Sequence, residues 1–248
     1  MKTRENLWMR PERPARGPKP SFSRSRLTEA AIQIADSEGL DAISMRRLAT
    51  EIDAGTMSLY RYVSGKDDVI ELMIDAVVAD YLPADTALSG DWMTDLRALA
   101  GHARQTMLRH PWLAPLAATR QQASPNRVRL LDTSLRMVDG LGLGVNEMLT
   151  IIGTVFAYVH GFVQSELADA EALRRTGLDL MQWMTLQVPF LQSVVASGQH
   201  PMVARMLTEG GHEYTDIDDR FGYGLERLLE GIAARLPRGE GGSSPAGR

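Results

Sequence analysis

The chain has 248 residues, 44% apolar and 23% charged, the proportions of an ordinary globular protein and enough for one large domain or two small ones. It has no cysteine, which excludes a disulfide framework, a cysteine zinc site and a thiol nucleophile. The net charge of −4 hides an asymmetry: residues 1–26 carry eight Lys or Arg against two acids, whereas from residue 83 onward 15 basic residues meet 18 acidic ones, so positive charge gathers at one end.

Residues 1–23 are basic and interrupted by Pro11, Pro14, Pro18 and Pro20, and they read as a flexible arm with no core residue before Phe22. Arg16 and Lys19 sit in the proline-stiffened RGPKP of this arm, where two readings stay open: a solvated tail, or an arm that follows a DNA minor groove. The arm lacks an apolar h-region, so no signal peptide is expected and the protein is placed in the cytoplasm.

Helical periodicity begins at Arg24. Leu27, Ala31, Ile34 and Ala35 form one apolar stripe, and Gly39 stops it. Ser44 is a natural N-cap for a short second helix ending near Glu51. The turn Asp53-Ala54-Gly55 follows, then a third short helix from Thr56 to Tyr62 and a fourth from Lys66 with Ile70, Met73, Ile74, Val77 and Tyr81 on one side, ended by Pro83. Further helices are expected over about 91–109, 111–119, 125–139, 145–168, 178–197, 200–208 and 216–236, and the tail 237–248 reads as disordered. The run from Met148 to Ser165 is barely long enough to span a bilayer. It contains Thr150, Thr154, His160 and Gln164, so it reads as a buried helix and not a membrane span. No convincing strand or internal repeat is found: the fold class is all-α.

Two short helices joined by a tight turn form a helix-turn-helix whose second helix enters the major groove. Leu48, Ile52, Leu59 and Val63 supply the core beneath it, which leaves Thr56, Met57, Ser58, Tyr60 and Tyr62 facing outward. Lys66, at the start of the next helix, sits where its own charge and the helix N-terminus both favour a phosphate.

The stretch LTEAAIQIADSEGLDAISMRRLATEIDAGTMSLYRYVSGKDDVIELM resembles the N-terminal domain of the TetR family of repressors over residues 24 to about 80. The resemblance implies Ser44 and Arg46 at the groove edge, Thr56, Met57 and Ser58 toward bases, and Tyr60, Tyr62 and Lys66 on phosphates; Arg24 is a further candidate DNA contact. Two positions depart from the family pattern. Asp53 replaces the usual turn glycine, and Gly55 replaces the usual hydroxyl N-cap. The resemblance further implies a domain at 24–66 that reads DNA and a larger helical domain at 67–236 that binds a ligand and dimerises. The homodimer would join helices 145–168 and 216–236 through Phe156, Val159, Phe162, Leu225, Leu228 and Leu229. The founder of the family holds a magnesium–tetracycline complex through His, Asn and His; the register positions here fall near Leu82, Leu99 and Ala117, so that pattern is absent.

His102 and Thr106, one turn apart, are candidate ligand contacts, as are Thr154 and Tyr158; Trp112, Tyr158 and Trp183 are candidate walls for a flat apolar molecule. Each has a plainer reading as core or half-exposed helix surface. Asp216, Asp218 and Asp219 near His212 suit a helix start better than a metal. DGLGLG at 139–144 follows no strand and reads as a turn rather than a dinucleotide loop. No nucleophile elbow, carboxylate pair, metal or cofactor pattern supports catalysis. The expected function is a repressor that binds a pseudo-palindromic DNA operator as a homodimer and is released by a small, largely apolar effector. The rivals are a regulator of this fold gated by a protein partner, and a helical binding protein or enzyme with an incidental helix-turn-helix.

Overall fold

The computed structural model describes residues 6–9, 23–82, 87–117, 122–209 and 216–237. Among them the regular structure is helical throughout. α1 (Arg24–Glu38) starts at Ser23, whose side chain accepts from the Arg26 N–H, and stops at Gly39, held at φ 85° where a Cβ would be strained. α2 (Met45–Glu51) is capped by Ser44, which accepts from the Arg47 N–H. Asp53 then takes φ 52°, as the sole non-glycine residue at positive φ among the described residues. A short polar side chain tolerates that left-handed geometry, so the turn forms without its usual glycine. α3 (Thr56–Leu59) is shorter than expected. Tyr62 N–H bonds to the Leu59 carbonyl at 2.9 Å and Arg61 N–H to that of Ser58, so the helix tightens into a turn instead of running on to Tyr62. Leu48, Ile52, Leu59 and Val63 are buried as the periodicity requires.

α4 (Lys66–Val78) is buried on more sides than the single stripe expected. It packs on α1, on α5 (Trp92–Arg109) and on α7 (Pro125–Met137). Val69, Leu72, Met73, Ile74, Val77 and Val78 are all buried. Two buried carboxylates on α4 serve backbone. Asp68 accepts from the Ser64 N–H at 2.7 Å where the N-cap Gly65 has no side chain to offer. Asp75 accepts from the Asn126 backbone N–H at 2.9 Å and from its side-chain amide at 3.1 Å. That anion caps the start of α7, where the Ser124 side chain makes no cap bond. A 3₁₀ turn, Ala79–Tyr81, extends α4, and α6 (Leu113–Ala117) follows α5.

α8 (Val145–Thr176) runs eight residues past its expected end. The extension DAEALRRT is rich in strong helix formers, Glu171 pairs with Arg174, and Gly177 at φ 70° ends it. One window of α8 is long and apolar enough to cross a membrane by composition, yet Val155, Val159 and Val163 are fully buried within the chain. α9 (Leu180–Ala196) opens with a reciprocal Asp179–Gln182 capping box. α10 (Pro201–Glu209) and α11 (Ile217–Ala233) complete the chain, the latter capped by Asp216 as expected for that acidic group. His212 lies outside the described residues, as do Arg16, Lys19 and the tail beyond Pro237.

The helices gather into two compact units: the described residues up to His160 with 235–237, and the described residues within 161–234. In the second, Phe162 meets Phe221 edge to face, centroids 5.2 Å apart. This narrows the expected dimer face to its half-exposed residues, Phe156, Phe162 and Leu228. Val159, Leu225 and Leu229 are buried inside the chain, Phe162 is engaged with Phe221, and Leu228 is half-buried. An apolar stripe alone does not say whether its partner is another helix of the same chain or a second copy.

A correction concerns the N-terminus. Leu7 is 0% exposed. Its N–H reaches the Gln122 side chain at 3.4 Å, and the Asn6 side-chain amide donates to the Ala123 carbonyl at 3.0 Å. A turn of 3₁₀ helix, Leu7–Met9, is thus anchored inside the segment read as a featureless arm. Leu7→Ala is expected to lower stability by about 2–5 kcal/mol, the usual range for a fully buried leucine. Chemical denaturation checks this, and an unchanged midpoint would return residues 6–9 to the arm.

Candidate functional site

One end of the first unit carries a polar surface built on α2, α3 and the turn after it. Met57 is 79% exposed, a large apolar side chain held in water at the tip of α3. Tyr60 is exposed, and Thr56, Ser58 and Tyr62 are half-buried. Of the two adjacent arginines, Arg47 is occupied: its guanidinium bonds to Glu38 at 2.7 Å and to Glu51, and these bonds hold it charged and raise its pKa further. Arg46 is exposed and makes no ion pair among the described residues. Arg24 donates to the Tyr62 carbonyl at 3.3 Å, fixing the turn after α3 to α1. Several expected contacts have structural work as well. The Ser44 hydroxyl caps α2, the Ser58 hydroxyl donates to the Gly55 carbonyl, and the Lys66 ammonium donates to the Leu40 carbonyl at 3.1 Å.

The other end of α4 opens on a cavity of about 280 Å³ lined by Ile74, Val78, Tyr81, Leu113, Arg127, Leu130, Phe156 and His160. Tyr81 stacks on Phe156 at 6.1 Å and 26°, and Phe156 lies against His160 at 6.1 Å. Burial pushes the Tyr81 hydroxyl well above its ordinary value against an opposing pull from Arg127, so the phenol stays neutral. Burial lowers His160 and keeps its ring neutral, and it also lowers Arg127 despite Glu71, Asp75 and Tyr81 nearby. A neighbouring, more polar cleft of about 420 Å³ is lined by Asp80, His102, Gln105, Thr106, Arg109 and Arg129 among others.

The expected ligand residues divide accordingly. His102 and Thr106 come together in the polar cleft. Thr154 and Tyr158 do not line the aromatic cavity; Phe156 and His160 do. Two residues along a helix is about 200° of rotation, so the neighbouring pair faces the other way, and the Thr154 hydroxyl bonds its own helix at the Thr150 carbonyl. Phe156, expected at a dimer face, is a cavity wall. Trp183 is half exposed on α9, in the second unit. Trp112 is buried, and its indole N–H donates to Asp36 of α1 at 2.7 Å. The same carboxylate oxygen meets the His110 ring at 2.8 Å. Asp36 therefore ties α1 to the segment that begins the cavity wall at Leu113, a link no local sequence pattern marks. Arg127 and Tyr81 were likewise missed as cavity residues; the i,i+4 spacing of Phe156 and His160 was the available signal.

A helix-turn-helix face and an aromatic-walled cavity in one all-helical unit are the architecture of a DNA-binding transcriptional regulator. Residues 83–236 match the family described as "Tetracyclin repressor-like, C-terminal domain", and the chain belongs to the TetR family of transcriptional repressors. It is 39% identical over 246 residues to the HTH-type transcriptional repressor DrrR1 of Streptomyces coeruleorubidus, covering 98% of this chain and 89% of that protein. It is 24% identical over 207 residues to the class E tetracycline repressor protein of Escherichia coli, 83% of this chain and 88% of the other. Apo ActR of Streptomyces coelicolor shares the fold with a TM-score of 0.71 over 88% of this chain and 97% of its own, at 24% identity. The same protein in complex with actinorhodin gives 0.71 at 23%, over 88% and 98%.

Because the folded-state pKa of His160 lies below its unfolded value near 6.5, the unfolded chain binds the proton first as pH falls. The stability tied to the neutral ring is fully present above about pH 6.5 and is lost as pH drops through the folded value. Denaturation at pH values on either side of about 6.5 should show a decline on acidification that is smaller in His160→Gln. Parallel pH profiles for the two proteins would contradict the burial of His160.

Proposed function

We propose that this repressor acts in the cytoplasm as a homodimer, sets α3 of each subunit in the major groove of a pseudo-palindromic operator, and leaves it when a small, largely apolar molecule fills the cavity beside Tyr81. Residues 24–66 are the reading head and 67–236 the sensing and dimerising body. The observation that carries the reading is a shared wall. Ile74 and Val78 line the cavity from the same α4 whose first residue, Lys66, holds the Leu40 carbonyl. Leu113 lines it one residue after Trp112, which grips Asp36. A ligand that displaces these walls acts on α1 and on the start of α4 together, and so on the angle of the reading head. That ActR binds a small organic molecule, actinorhodin, supports a small organic effector here.

On the head, exposed Arg46 and Met57 read base edges, the latter through a thymine methyl, with Thr56 and Ser58 beside them. Tyr60, Tyr62, Arg24 and Lys66 position the backbone. For the dimer, α9 supplies the argument. Trp183, Met184, Leu186 and Phe190 stand about half exposed or more, and no residue of this apolar 17-residue helix is buried. Monomers rarely leave so much apolar surface in water.

Tyr60→Ala is expected to weaken operator and scrambled duplex alike, whereas Arg46→Ala and Met57→Ala reduce discrimination by about 1–3 kcal/mol. Titration of both duplexes decides this, and equal losses for Arg46→Ala on the two would refute its role. Saturating effector is expected to weaken operator affinity by roughly 5–150-fold. Sedimentation should give twice 27.3 kDa, and a well-folded monomer at micromolar concentration would end the dimer reading.

A further inference from the structure

The segment Asn6–Met9 is fixed to the start of α7, and that platform is itself fixed to α4. The Asn6 side-chain amide donates to the Ala123 carbonyl at 3.0 Å, and Leu7 is fully enclosed. Gln122, whose side chain accepts the Leu7 N–H, gives its own carbonyl to the Arg127 guanidinium at 3.0 Å. Arg127 faces Glu71 of α4 at 3.8 Å, and Asn126 beside it is held by Asp75, one turn further along α4. A chain end ordinarily keeps its conformational freedom, so an end anchored this far from its place in the sequence calls for a reason.

From this anchor Trp8 reaches the seam between α1 and α4. It lines a cleft of about 340 Å³ together with Arg24, Thr28 and Ile32 of α1 and Leu72 and Asp75 of α4. The Trp8 Nε1 is buried with no hydrogen-bond partner among the described residues, so its rings hold it there and its polar atom does not. Arg24, on the same cleft, donates to the Tyr62 carbonyl at 3.3 Å, and Tyr62 lies in the turn that closes α3. Asp36 ties the other end of α1 to Trp112. With both ends held, α1 is restrained from rotating on α4, and the Arg24–Tyr62 bond passes that fixed position to α3. Base contacts need the angle of α3 most, because hydrogen bonds weaken steeply off axis and it is base edges that specify sequence.

We infer that Trp8 is a positioning residue for DNA reading: anchored through Asn6 and Leu7, it holds the Arg24 end of α1 and, through the Arg24–Tyr62 bond, the angle of α3. Trp8 does this without touching DNA. The inference rests on the reading of α3 as the helix that meets base edges.

The test uses the full-length protein and two duplexes, one selected in vitro against the wild type and one scrambled from it. Trp8→Ala should lose about tenfold on the selected duplex, the size of one weakened base contact, and less than about twofold on the scrambled one. No charge changes, so the salt slope of binding should stay that of the wild type. Trp8→Phe keeps a ring, drops the unpartnered N–H and should bind as the wild type does. Added to Arg24→Gln, Trp8→Ala should cost less than about twofold more, because both changes act on the same bond. Denaturation curves must put each variant at about 99% folded or more at the assay temperature, so that unfolding cannot account for a tenfold loss. Should Trp8→Ala fall short, Trp8→Leu loses the rings with less volume removed and is read in the same way. Wild-type binding by Trp8→Ala overturns the inference. So do equal losses on the two duplexes, a smaller salt slope, a Trp8→Phe variant as weak as Trp8→Ala, or losses that add in full with Arg24→Gln. A wild type that selects no duplex overturns it together with the reading of α3, whereas a discriminating wild type beside an unaffected Trp8→Ala leaves that reading standing and removes only the role of Trp8.

Discussion

The burial of α4 against several neighbours at once is the constraint on which the first unit depends. A 13-residue helix that packs on α1, α5 and α7 is at once the support of α1 and a wall of the cavity. Close-packed interiors transmit displacement because they have no slack to absorb it. The polar groups on α4 follow the same logic. Asp68 and Asp75 are buried because each accepts backbone N–H groups that would otherwise be orphaned, Asp68 at the start of α4 and Asp75 at the start of α7. Placed there, Asp75 ties α4 to the start of α7, so the two move together.

Asp36 supplies a second route between the same two places. One carboxylate oxygen serves both the Trp112 indole and the His110 ring, and the next residue along, Leu113, is cavity wall. The cavity walls therefore connect to α1 from two directions, through α4 and through the 110–113 turn. Coupling of ligand to DNA needs only that the two arrangements of these contacts differ in energy by a few kcal/mol.

The reading head shows how identical residue types acquire different work from their neighbours. Arg46 and Arg47 are adjacent, yet Arg47 is spent on Glu38 and Glu51 while Arg46 remains exposed. Met57 gains nothing from the fold in its exposed place, which fits a side chain kept for a partner surface. In the second unit α9 poses the same question at larger scale, with an apolar helix whose side chains the chain itself leaves uncovered.

Periodicity and capping chemistry were enough to find the helices, though not the ends of α3 and α8, because those signals are local. Ser44 and Asp216, both read as helix starts, each cap the helix that follows. Asp53 was readable as a left-handed turn residue for the same reason, since the strain of positive φ falls on the residue itself. The core under the helix-turn-helix, Leu48, Ile52, Leu59 and Val63, was legible from spacing alone. Tertiary structure decided everything that turns on which surface meets which. Val159, Leu225 and Leu229 have the spacing of an interface but are covered by their own chain, and Phe156 and His160 rather than Thr154 and Tyr158 face the cavity. Leu7 is anchored by Gln122 and Ala123, more than a hundred residues away, and Trp112 by Asp36. Such contacts arise from the rotation of one helix against another and from long-range closure, and neither leaves a mark in the residues on either side.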